Sequence, residues 1–387
     1  MKRVVLDCEA LDIKRKLILL PKYFWPATGG LQIASARIST TLADMGWRVS
    51  IYYPAEPDLH PDSYLENSRI KKFAVQKSRQ EFWDSIPTLL GQDMDHCSVL
   101  AVGLEHEESI DMQIRALQTL RKAGALTFLR VTTTNDIASR VNTARALMLS
   151  QLDGLVVLNR AMEKEAKNLN FKSQFIHRFP VMVDTNRYRP NKDNLDMVRK
   201  NRGVEQNVPI VLYVGRLDPQ KRIELLIKAM IGVDALLLII GDPTLGPNIK
   251  ETERYLRLAQ EYGLRSIRIE PQVPEAEVPD ILQTADVFVT ASHREGMSNA
   301  VLEASSVGLN IAGFSIPGIE EIAKTLNWDG FFLAHPDSGY AGLRKAIQNA
   351  LNSPTSNWRS SRENGLMAFS SQKIGAFWSL LLSENKK

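Results

Sequence analysis

Two short segments in the second half of the chain combine glycine with charged side chains. In the first, GRLDPQK (215–221), Arg216 and Lys221 bracket a loop that follows the apolar run 209–214. Arginine offers a bidentate hydrogen-bonding fork and lysine a compact positive charge, so the two together could neutralise a diphosphate. Gly215 allows a tight exit from the preceding strand. The competing interpretation is a pair of solvated surface cations, and the spacing alone leaves both open.

The second segment, EGMSNAVLE (295–303), places a carboxylate in a turn before a predicted helix. Gly296 permits close backbone approach, and Ser298 is a good helix cap. The free amides and the positive dipole end of a helix start form an anion site. Glu295 could then bind sugar hydroxyls and Glu303 a ribose. Alternatively, Glu295 only stabilises the helix dipole and Glu303 is a solvated helix residue.

Two further glycine turns attract attention. In PATGGLQ (26–32), Gly29 and Gly30 form a compact loop that could approach a diphosphate or an acceptor from an opposite wall, although most such turns have only a structural role. In PGIEE (317–321), ordinary helix-start chemistry explains the acidic residues, and we expect a structural role there.

The elements that must position these turns are strands alternating with helices. Near-continuous apolar strands separated by amphipathic helices indicate parallel sheets covered on both faces. In the first half the predicted strands are 16–20, 47–53, 98–104, 126–132 and 153–159. In the second half they are 209–214, 235–240, 266–270, 287–291, 309–314 and 330–334.

The alternation is interrupted by a polar, irregular stretch at 179–209, which we interpret as an interdomain linker. The sequence therefore predicts two Rossmann-like domains, 1–187 and 188–369. In open α/β sheets, ligands bind beyond the carboxyl ends of the strands, which is where the charged turns lie.

Composition is that of an ordinary globular protein: 387 residues, 44% hydrophobic and 24% charged. No apolar run reaches the length of a membrane-spanning helix, and the charged start does not resemble a signal peptide, so we expect a cytoplasmic protein. Cys8 and Cys97 allow at most one disulfide and no metal cluster, which fits a reducing compartment. The net charge is +4, and in the first 190 residues Lys and Arg outnumber Asp and Glu. This excess of positive charge hints at an anionic surface or substrate for that half of the chain.

In this order, the motifs resemble glycosyltransferase family 4, whose members are retaining enzymes of the GT-B fold. The resemblance covers nearly the whole chain from about residue 16. It rests on four features of the sequence. They are the Gly29–Gly30 loop followed by a helix and the strand at 47–53, the PVMVDTNRY stretch at 180–188, the G-R-L of 215–217 with Lys221 and an apolar helix, and the two glutamates Glu295 and Glu303 on either side of GMSNAVL.

The resemblance implies roles for these residues. Arg216 and Lys221 would hold the donor diphosphate, Glu295 would contact the transferred sugar, and these three would carry the catalysis. Glu303 would bind the nucleotide ribose, and a last helix at about 373–385, containing Trp378, would pack back on the first domain. The other donor-side contacts would come from Gly29, Gly30, Gly215, Gly296, Met297, Ser298 and Asn299.

The chain departs from the family pattern in places. Relatives often carry a histidine near the strand at 126–132, whereas this sequence continues VTTTNDIAS (131–139). Thr134, Asn135 and Asp136 are therefore candidates on the acceptor side, and no catalytic base is assigned. Arg222 stands where relatives have a glycine. The turn EPQV (270–273) also lacks the usual glycine, so the sequence does not indicate which nucleotide base is recognised. The Asn-Gly that precedes the boundary Asp in relatives is absent.

The expected reaction moves a sugar from a nucleoside diphosphate sugar, with UDP-sugars favoured and GDP-mannose next, to a hydroxyl of a glycan or lipid-linked acceptor in cell-surface polysaccharide synthesis. We expect no metal, no other cofactor and no nucleic-acid partner. The stretch SRIKKFAVQKSRQEFW (68–83) could rest on an anionic membrane at the inner face of the plasma membrane, or be a solvated surface.

Other functions remain as alternatives. An NAD-dependent oxidoreductase would need a G-x-G-x-x-G turn, which the sequence lacks. A sugar-nucleotide epimerase, a phosphorylase of the same architecture and a non-catalytic sugar-nucleotide-binding protein stay open, since fold-level analogy does not separate them.

Overall fold

The structure is a computed structural model that describes most of the chain. The described residues are 15–23, 29–55, 67–91, 94, 96–190, 195–205, 207–241, 249–353 and 365–383. The charged start of the chain, Cys8, and residues 26–28 of the PATGGLQ loop lie outside them, so the expectations that concern those positions stay predictions.

The first sheet is built from β1 (Lys16–Pro21), β2 (Arg48–Pro54), β3 (Ile70–Val75), β4 (Cys97–Val102), β5 (Leu126–Arg130), β6 (Gly154–Val157) and β7 (Ile176–Arg178). All neighbours are parallel, in the order β3-β2-β1-β4-β5-β6-β7. Leu19 is paired with Ile51 on one side and with Leu100 on the other. The central strands are buried, as a parallel sheet covered by helices requires.

Helices cover both faces of this sheet. They are α1 (Gly30–Asp44), α2 (Arg79–Leu90), α3 (Ile110–Lys122), α4 (Asp136–Arg140), α5 (Thr143–Leu149) and α6 (Arg160–Asn168). Alternate residues of β1 point to opposite faces: Leu17 joins an apolar cluster with Leu42 of α1, whereas Ile18 joins another with Leu117 of α3. The alternation of the strand thus distributes the helices over two layers.

The second sheet is also entirely parallel. Its strands are β8 (Ile210–Val214), β9 (Leu236–Ile240), β10 (Ile267–Glu270), β11 (Val287–Val289), β12 (Asn310–Phe314) and β13 (Phe331–Ala334), in the order β10-β9-β8-β11-β12-β13. Its helices are α7 (Leu195–Asn201), α8 (Ile223–Met230), α9 (Ile249–Glu261), α10 (Val278–Thr284), α11 (Asn299–Ser306), α12 (Pro317–Leu326) and α13 (Gly339–Asn352). The predicted pair of doubly wound parallel sheets is confirmed.

A last helix, α14 (Ser371–Ser383), packs on α1 of the first sheet. Trp378 is fully buried and meets the ring of Phe179 edge-on with centroids 4.9 Å apart, and Ser379 accepts a hydrogen bond from the indole of Trp47 at 3.2 Å. A backbone bridge between Val183 and Ser370 marks where the chain returns. We propose on this basis to assign 1–187 together with the last helix to the first domain, and 188–369 to the second.

The structure adds detail to two sequence interpretations. The basic stretch at 68–83 contains strand β3 and the start of α2, and Phe82 and Trp83 are fully buried rather than available to a membrane. The stretch 179–209, interpreted as a linker, contains α7, whose Arg199 donates to the carbonyl oxygen of Thr284 at 2.9 Å. Arg199 also pairs with Asp286 at 3.0 Å, so this side chain ties the short helix to the second domain.

Candidate functional site

The carboxyl ends of the two sheets are brought together by direct contacts between their turns. Thr134, which follows β5, donates its hydroxyl to the carbonyl oxygen of Glu295 at 2.5 Å. Asn159, which follows β6, donates its amide to the carbonyl oxygen of Gly296. Asn299 of α11 donates to the carbonyl oxygen of Gly30 at 2.9 Å. The predicted turns of both domains therefore meet at the boundary between the two domains.

The turn after β8 depends on glycine. Gly215 has φ +155°, and a Cβ there would lie 2.9 Å from the hydroxyl of Tyr213. That hydroxyl donates to the carbonyl oxygen of Arg216 at 2.7 Å, and burial, followed by the negative charges of Glu295 and Asp218, raises its pKa, so it stays protonated as a donor. The neutral Tyr213 side chain thereby supports the loop through its hydrogen bond to the loop backbone.

Arg216 projects from this loop toward the first domain. A Cβ on Gly29 would lie 3.6 Å from Cδ of Arg216, so the glycine loop and the guanidinium lie side by side. The guanidinium pairs with Asp218 at 2.8 Å and remains 46% exposed. An exposed cation held by one carboxylate can exchange part of that contact for a phosphate without unfolding its loop.

Lys221 and Glu295 are in direct contact. Lys221 Nζ donates to Oε1 of Glu295 at 2.5 Å, and their side chains are only 16% and 11% exposed. Lys221 ends a single helical turn at 219–221, whereas Glu295 lies in the turn that follows β11, so the pairing comes from the neighbouring positions of β8 and β11 in the sheet. The cation and the carboxylate predicted from separate motifs share one corner of the cleft.

Gly296 sits against the first domain at a distance that a side chain would forbid. A Cβ at this position would lie 2.0 Å from the carbonyl oxygen of Thr132. Gly318, at the start of α12, packs closely against the same turn, since a Cβ at this position would lie 2.6 Å from the carbonyl oxygen of Gly296. Gly318 therefore has the structural role expected of the PGIEE segment.

Two helix N-termini meet beside these charges. Ser298 caps α11 by accepting from the amide of Val301 at 3.4 Å, and Met297 just before it is buried. α1 begins at the Gly29–Gly30 loop. As far as the described residues go, neither helix has an acidic residue in its first turn, and α1 lacks a side-chain cap. Both positive dipole ends thus remain uncompensated, as an anion site requires.

Glu303, the expected ribose ligand, is engaged by the first domain. Arg37 of α1 donates to Glu303 Oε1 at 2.5 Å, to the carbonyl oxygen of Met182 at 2.9 Å, and approaches Glu275 at 3.5 Å. The Arg37 guanidinium also lies 5.6 Å from the centre of the Tyr188 ring. Burial by itself would lower the pKa of Arg37, but Glu303 and its neighbours raise it above the ordinary value, so the arginine stays charged.

The three acceptor-side candidates are in different environments. Thr134 contacts the Glu295 backbone, as described. Asn135 is exposed, with φ +69°, and its backbone N–H donates to Oε1 of Glu165 at 2.9 Å. Asp136 is buried beside Arg140 at 3.3 Å, and burial raises its pKa while the nearby cations oppose that rise. The structure thus brings Thr134 to the Glu295 turn and places Asp136 in a separate charged group.

Sequence reasoning missed several residues of this site, above all Arg37, Glu275 and Asn159. One signal was present for Arg37: it is the single charged residue in the segment 31–43, LQIASARISTTLA, where a helix otherwise presents small and apolar side chains. Asn159 and Glu275 stand in ordinary polar turns, and nothing in their spacing marks them.

Comparison with known proteins finds glycosyltransferases among similar sequences. Residues 196–364 match the family model described as "Glycosyl transferases group 1". The D-inositol 3-phosphate glycosyltransferase of Thermomonospora curvata is 25% identical over 181 residues, which are 43% of this chain and 42% of the relative. The UDP-Gal:alpha-D-GlcNAc-diphosphoundecaprenol alpha-1,3-galactosyltransferase of Escherichia coli is 29% identical over 197 residues, 48% of this chain and 49% of the relative. The chain thus spans less than half the length of these curated relatives.

Solved structures match over almost the whole chain. Sucrose-phosphate synthase of Thermosynechococcus elongatus superposes with a TM-score of 0.75 at 18% identity, covering 95% of this chain and 98% of its own. HepE of Anabaena, crystallised with UDP and glucose, gives a TM-score of 0.74 at 16% identity and covers 95% and 99%. The fold is GT-B. At these identities the likeness establishes the fold and leaves the chemistry to the site.

Two further observations concern the described part of the chain. Within it, no group of three or more His, Cys, Asp or Glu side chains is arranged to hold a metal ion. No helix there has the length and apolar character needed to span a membrane.

Proposed function

We propose that this protein is a retaining glycosyltransferase of the family 4 type that transfers a sugar from a nucleoside diphosphate sugar to an acceptor hydroxyl. The observation that carries the proposal is the convergence of Arg216, Lys221 and Glu295 with two helix N-termini in one interdomain cleft. The names of the matching relatives and the group 1 family model support the same class of enzyme.

The proposed chemistry separates a positively charged, oxocarbenium-like sugar from a departing diphosphate. Arg216, Lys221 and the amides that begin α1 and α11 stabilise the negative charge that develops on the leaving group. Lys221 also fixes the rotamer of Glu295, whose second carboxylate oxygen is left to bind the hydroxyls of the transferred sugar. Each cation of this kind contributes roughly 3–4 kcal/mol to lowering the barrier.

Proton transfer fits the same arrangement. The acceptor oxygen bonds to the anomeric carbon on the face from which the diphosphate departs, and a phosphate oxygen of that leaving group takes the acceptor proton. This same-face substitution retains the anomeric configuration and requires no basic side chain. The positive charge that a metal would supply comes from the two cations, so the proposal includes no metal and predicts full activity in excess EDTA.

The donor site of the proposal extends to the ribose. Glu303 lies on α11 and is paired with Arg37, which also approaches Glu275, so a ribose that binds there must share Glu303 with Arg37. We propose UDP-sugars as the donors, with GDP-mannose next. The UDP-Gal in the name of the Escherichia coli relative and the UDP in the HepE structure support that order.

For the acceptor we propose a glycan or lipid-linked saccharide of cell-surface polysaccharide synthesis, reached at the inner face of the plasma membrane. The diphosphoundecaprenol in the name of the Escherichia coli relative supports a lipid-linked acceptor. Lys71, Phe73 and Lys77 are exposed at the edge of the first sheet and form the surface proposed to meet anionic lipid. Flotation with vesicles containing phosphatidylglycerol tests this: the Lys71→Glu/Lys77→Glu variant should remain in the bottom fraction.

A thermal-shift panel of UDP-, GDP- and ADP-sugars tests the donor site. At least one nucleotide sugar should raise the melting temperature, and Arg216→Ala or Lys221→Ala should reduce that rise. Arg257→Ala provides a matched control, since Arg257 is 69% exposed on α9 of the same domain and should bind like the parent. If both site variants bind every nucleotide as the parent does, the donor site lies elsewhere.

Product analysis then separates the alternative functions. A transferase releases nucleoside diphosphate faster when acceptor is present, and NMR of the product should show the anomer of the donor. An epimerase changes the donor sugar without acceptor, a phosphorylase requires inorganic phosphate, and a non-catalytic binding protein releases no nucleotide. An inverted anomer would refute the retaining mechanism while leaving the transferase class intact.

A further inference from the structure

Arg130, the last residue of β5, is a buried arginine that the proposed mechanism does not use. Only 2% of it is exposed. Its Nε and Nη1 atoms are both buried, and among the described residues neither atom has a hydrogen-bond partner. A buried, charged donor without a partner is costly to the folded protein, so this group calls for an explanation.

The Arg130 guanidinium keeps its charge at pH 7. Burial lowers its pKa to about 10, and no carboxylate among the described residues opposes that shift. The other buried cations of the described first domain are matched. Burial lowers the pKa of Lys22 to about 8, but Glu105 lies 3.8 Å away and opposes the shift, and Arg37 faces Glu303 at 2.5 Å. Arg130 therefore differs from them in lacking a counter-ion.

The sequence around Arg130 supplies no acidic partner. Residues 112–135 contain neither Asp nor Glu. The acidic residues on either side of that segment, Asp111 and Asp136, are each paired with another arginine, at 2.8 Å and 3.3 Å. Such an isolated buried cation is suited to an anion that comes from outside the chain.

The side chain of Arg130 points into the layer that contains α1. Along β5, Leu129 belongs to the apolar cluster on the α3 face, whereas Phe128 belongs to the cluster on the α1 face. Because side chains alternate along a strand, Arg130 shares the α1 face with Phe128. Its partners on the neighbouring strands, Val102 and Val156, belong to the same cluster.

The start of α1 lies over the same strand ends. Gly103, which follows β4, donates its backbone N–H to the carbonyl oxygen of Arg130 at 2.9 Å, and a Cβ on Gly103 would lie 2.7 Å from Cδ1 of Leu31 in the first turn of α1. That described turn has no acidic residue and no side-chain cap. The positive end of α1 and the Arg130 guanidinium thus lie at the same end of one face, an arrangement that an anion between them stabilises.

The two cations assigned to the donor diphosphate are already matched by carboxylates. Arg216 pairs with Asp218 at 2.8 Å, and Lys221 pairs with Glu295. These four groups bring no net positive charge, whereas a nucleoside diphosphate carries negative charge on each phosphoryl group. The glycine loop that begins α1 lies beside Arg216, so Arg130 can supply the missing positive charge from the first domain.

We propose that Arg130 is a further donor-binding residue, whose guanidinium binds the diphosphate from the first-domain side together with the amides that begin α1. The proposal rests on the proposed function and adds a residue to its donor site. A fixed, desolvated cation there stabilises the negative charge that develops on the leaving group. Without a bound anion the same residue is an unpaired buried charge, which destabilises the fold.

Titration calorimetry with inorganic pyrophosphate and melting curves of the full chain test both halves of the proposal. Arg130→Met removes the charge and leaves an apolar side chain, and it should weaken pyrophosphate binding by at least about tenfold. Without ligand this variant should melt no lower than the parent, because it no longer buries an unpaired charge. Arg130→Lys keeps the charge and should retain part of the affinity. UDP and GDP should show the same losses as pyrophosphate.

Two further variants complete the comparison. Arg216→Ala should also lose affinity, whereas Arg121→Met, which removes a surface cation of the first domain paired with Asp153, should bind pyrophosphate like the parent. If Arg130→Met binds as the parent does while Arg216→Ala does not, the inference is overturned and the proposed function stands. Melting of Arg130→Met below the parent would mean that Arg130 stabilises the fold, and would equally overturn the inference.

The remaining outcomes concern the proposed function. Pyrophosphate binding that depends on Arg130, without binding of any nucleotide sugar, would refute the proposed function and leave an anion site at this position. A parent that binds neither pyrophosphate nor any nucleotide sugar would overturn both. The failure of the inference and the failure of the proposed function are therefore distinguishable.

Discussion

Among the described residues, the contact between Arg37 and Glu303 is the shortest charge pair that joins the two domains, and its removal has a calculable effect. Two unit charges 2.5 Å apart attract by about 7 kcal/mol at an effective dielectric constant of about 20. Each ion has also lost several kcal/mol of hydration, because the side chains of Arg37 and Glu303 are only 10% and 6% exposed. The net coupling should therefore be about 3 kcal/mol.

A double-mutant cycle measures that coupling. Arg37→Met leaves Glu303 buried without its cation and should lower the free energy of unfolding by about 3–5 kcal/mol. Glu303→Gln should cost less, because Arg37 keeps the Met182 carbonyl and Glu275 as partners. The double variant should be more stable than the sum of the two losses by about 3 kcal/mol. Urea denaturation followed by tryptophan fluorescence gives all four values.

A surface pair supplies the comparison. Arg121 and Asp153 lie 3.1 Å apart, but Arg121 is 40% exposed, so the same cycle there should give less than about 1 kcal/mol. If the Arg37 and Glu303 changes are additive within about 0.5 kcal/mol, the pair is not formed in solution and the close approach of α1 to α11 is wrong. Glu303→Gln should also weaken nucleotide-sugar binding, whereas a variant that binds normally would remove Glu303 from the ribose site.

Three other changes test separate parts of the structure. Gly296→Ala should keep the domains apart, because the new Cβ would lie 2.0 Å from the Thr132 carbonyl oxygen; small-angle X-ray scattering should show a larger radius of gyration, and an unchanged radius would contradict the closed arrangement. Trp378→Ala should cost about 3–5 kcal/mol in urea denaturation, since the side chain is fully buried, and a loss below about 1 kcal/mol would mean that the last helix is not docked. The folded-state pKa of Lys22, about 8, lies below the ordinary 10.5, so the unfolded chain binds the extra proton between these values and stability should rise with pH from about 8 to about 10.5. Melting curves of the parent should show this rise relative to Lys22→Met, and parallel curves would refute it.

Much of the fold could be predicted from local patterns. Both faces of a parallel sheet are buried, so successive residues of its strands are apolar. The apolar runs around Leu19 and Leu212 could therefore be predicted as strands. The edge strand β3 was not predicted. An edge strand exposes one of its sides, so the run that contains Lys71 and Phe73 resembles a surface segment. The helix at 195–201 was not predicted, because its sequence, LDMVRKN, is polar and too short to show a helical apolar period.

The amino-acid sequence by itself determined the two parallel sheets and the glycine and charge motifs that end their strands, because strand burial and turn chemistry depend on residues close together in the chain. The tertiary structure alone decided which of these charges meet. Lys221 finds Glu295 because β8 and β11 are adjacent in the sheet, although 74 positions separate the two residues, and Arg37 reaches Glu303 only through the packing of α1 on α11. Lys22, Glu105 and Arg140 likewise come together only because the ends of β1, β4 and β5 lie at one edge of the sheet, and no local spacing encodes that convergence.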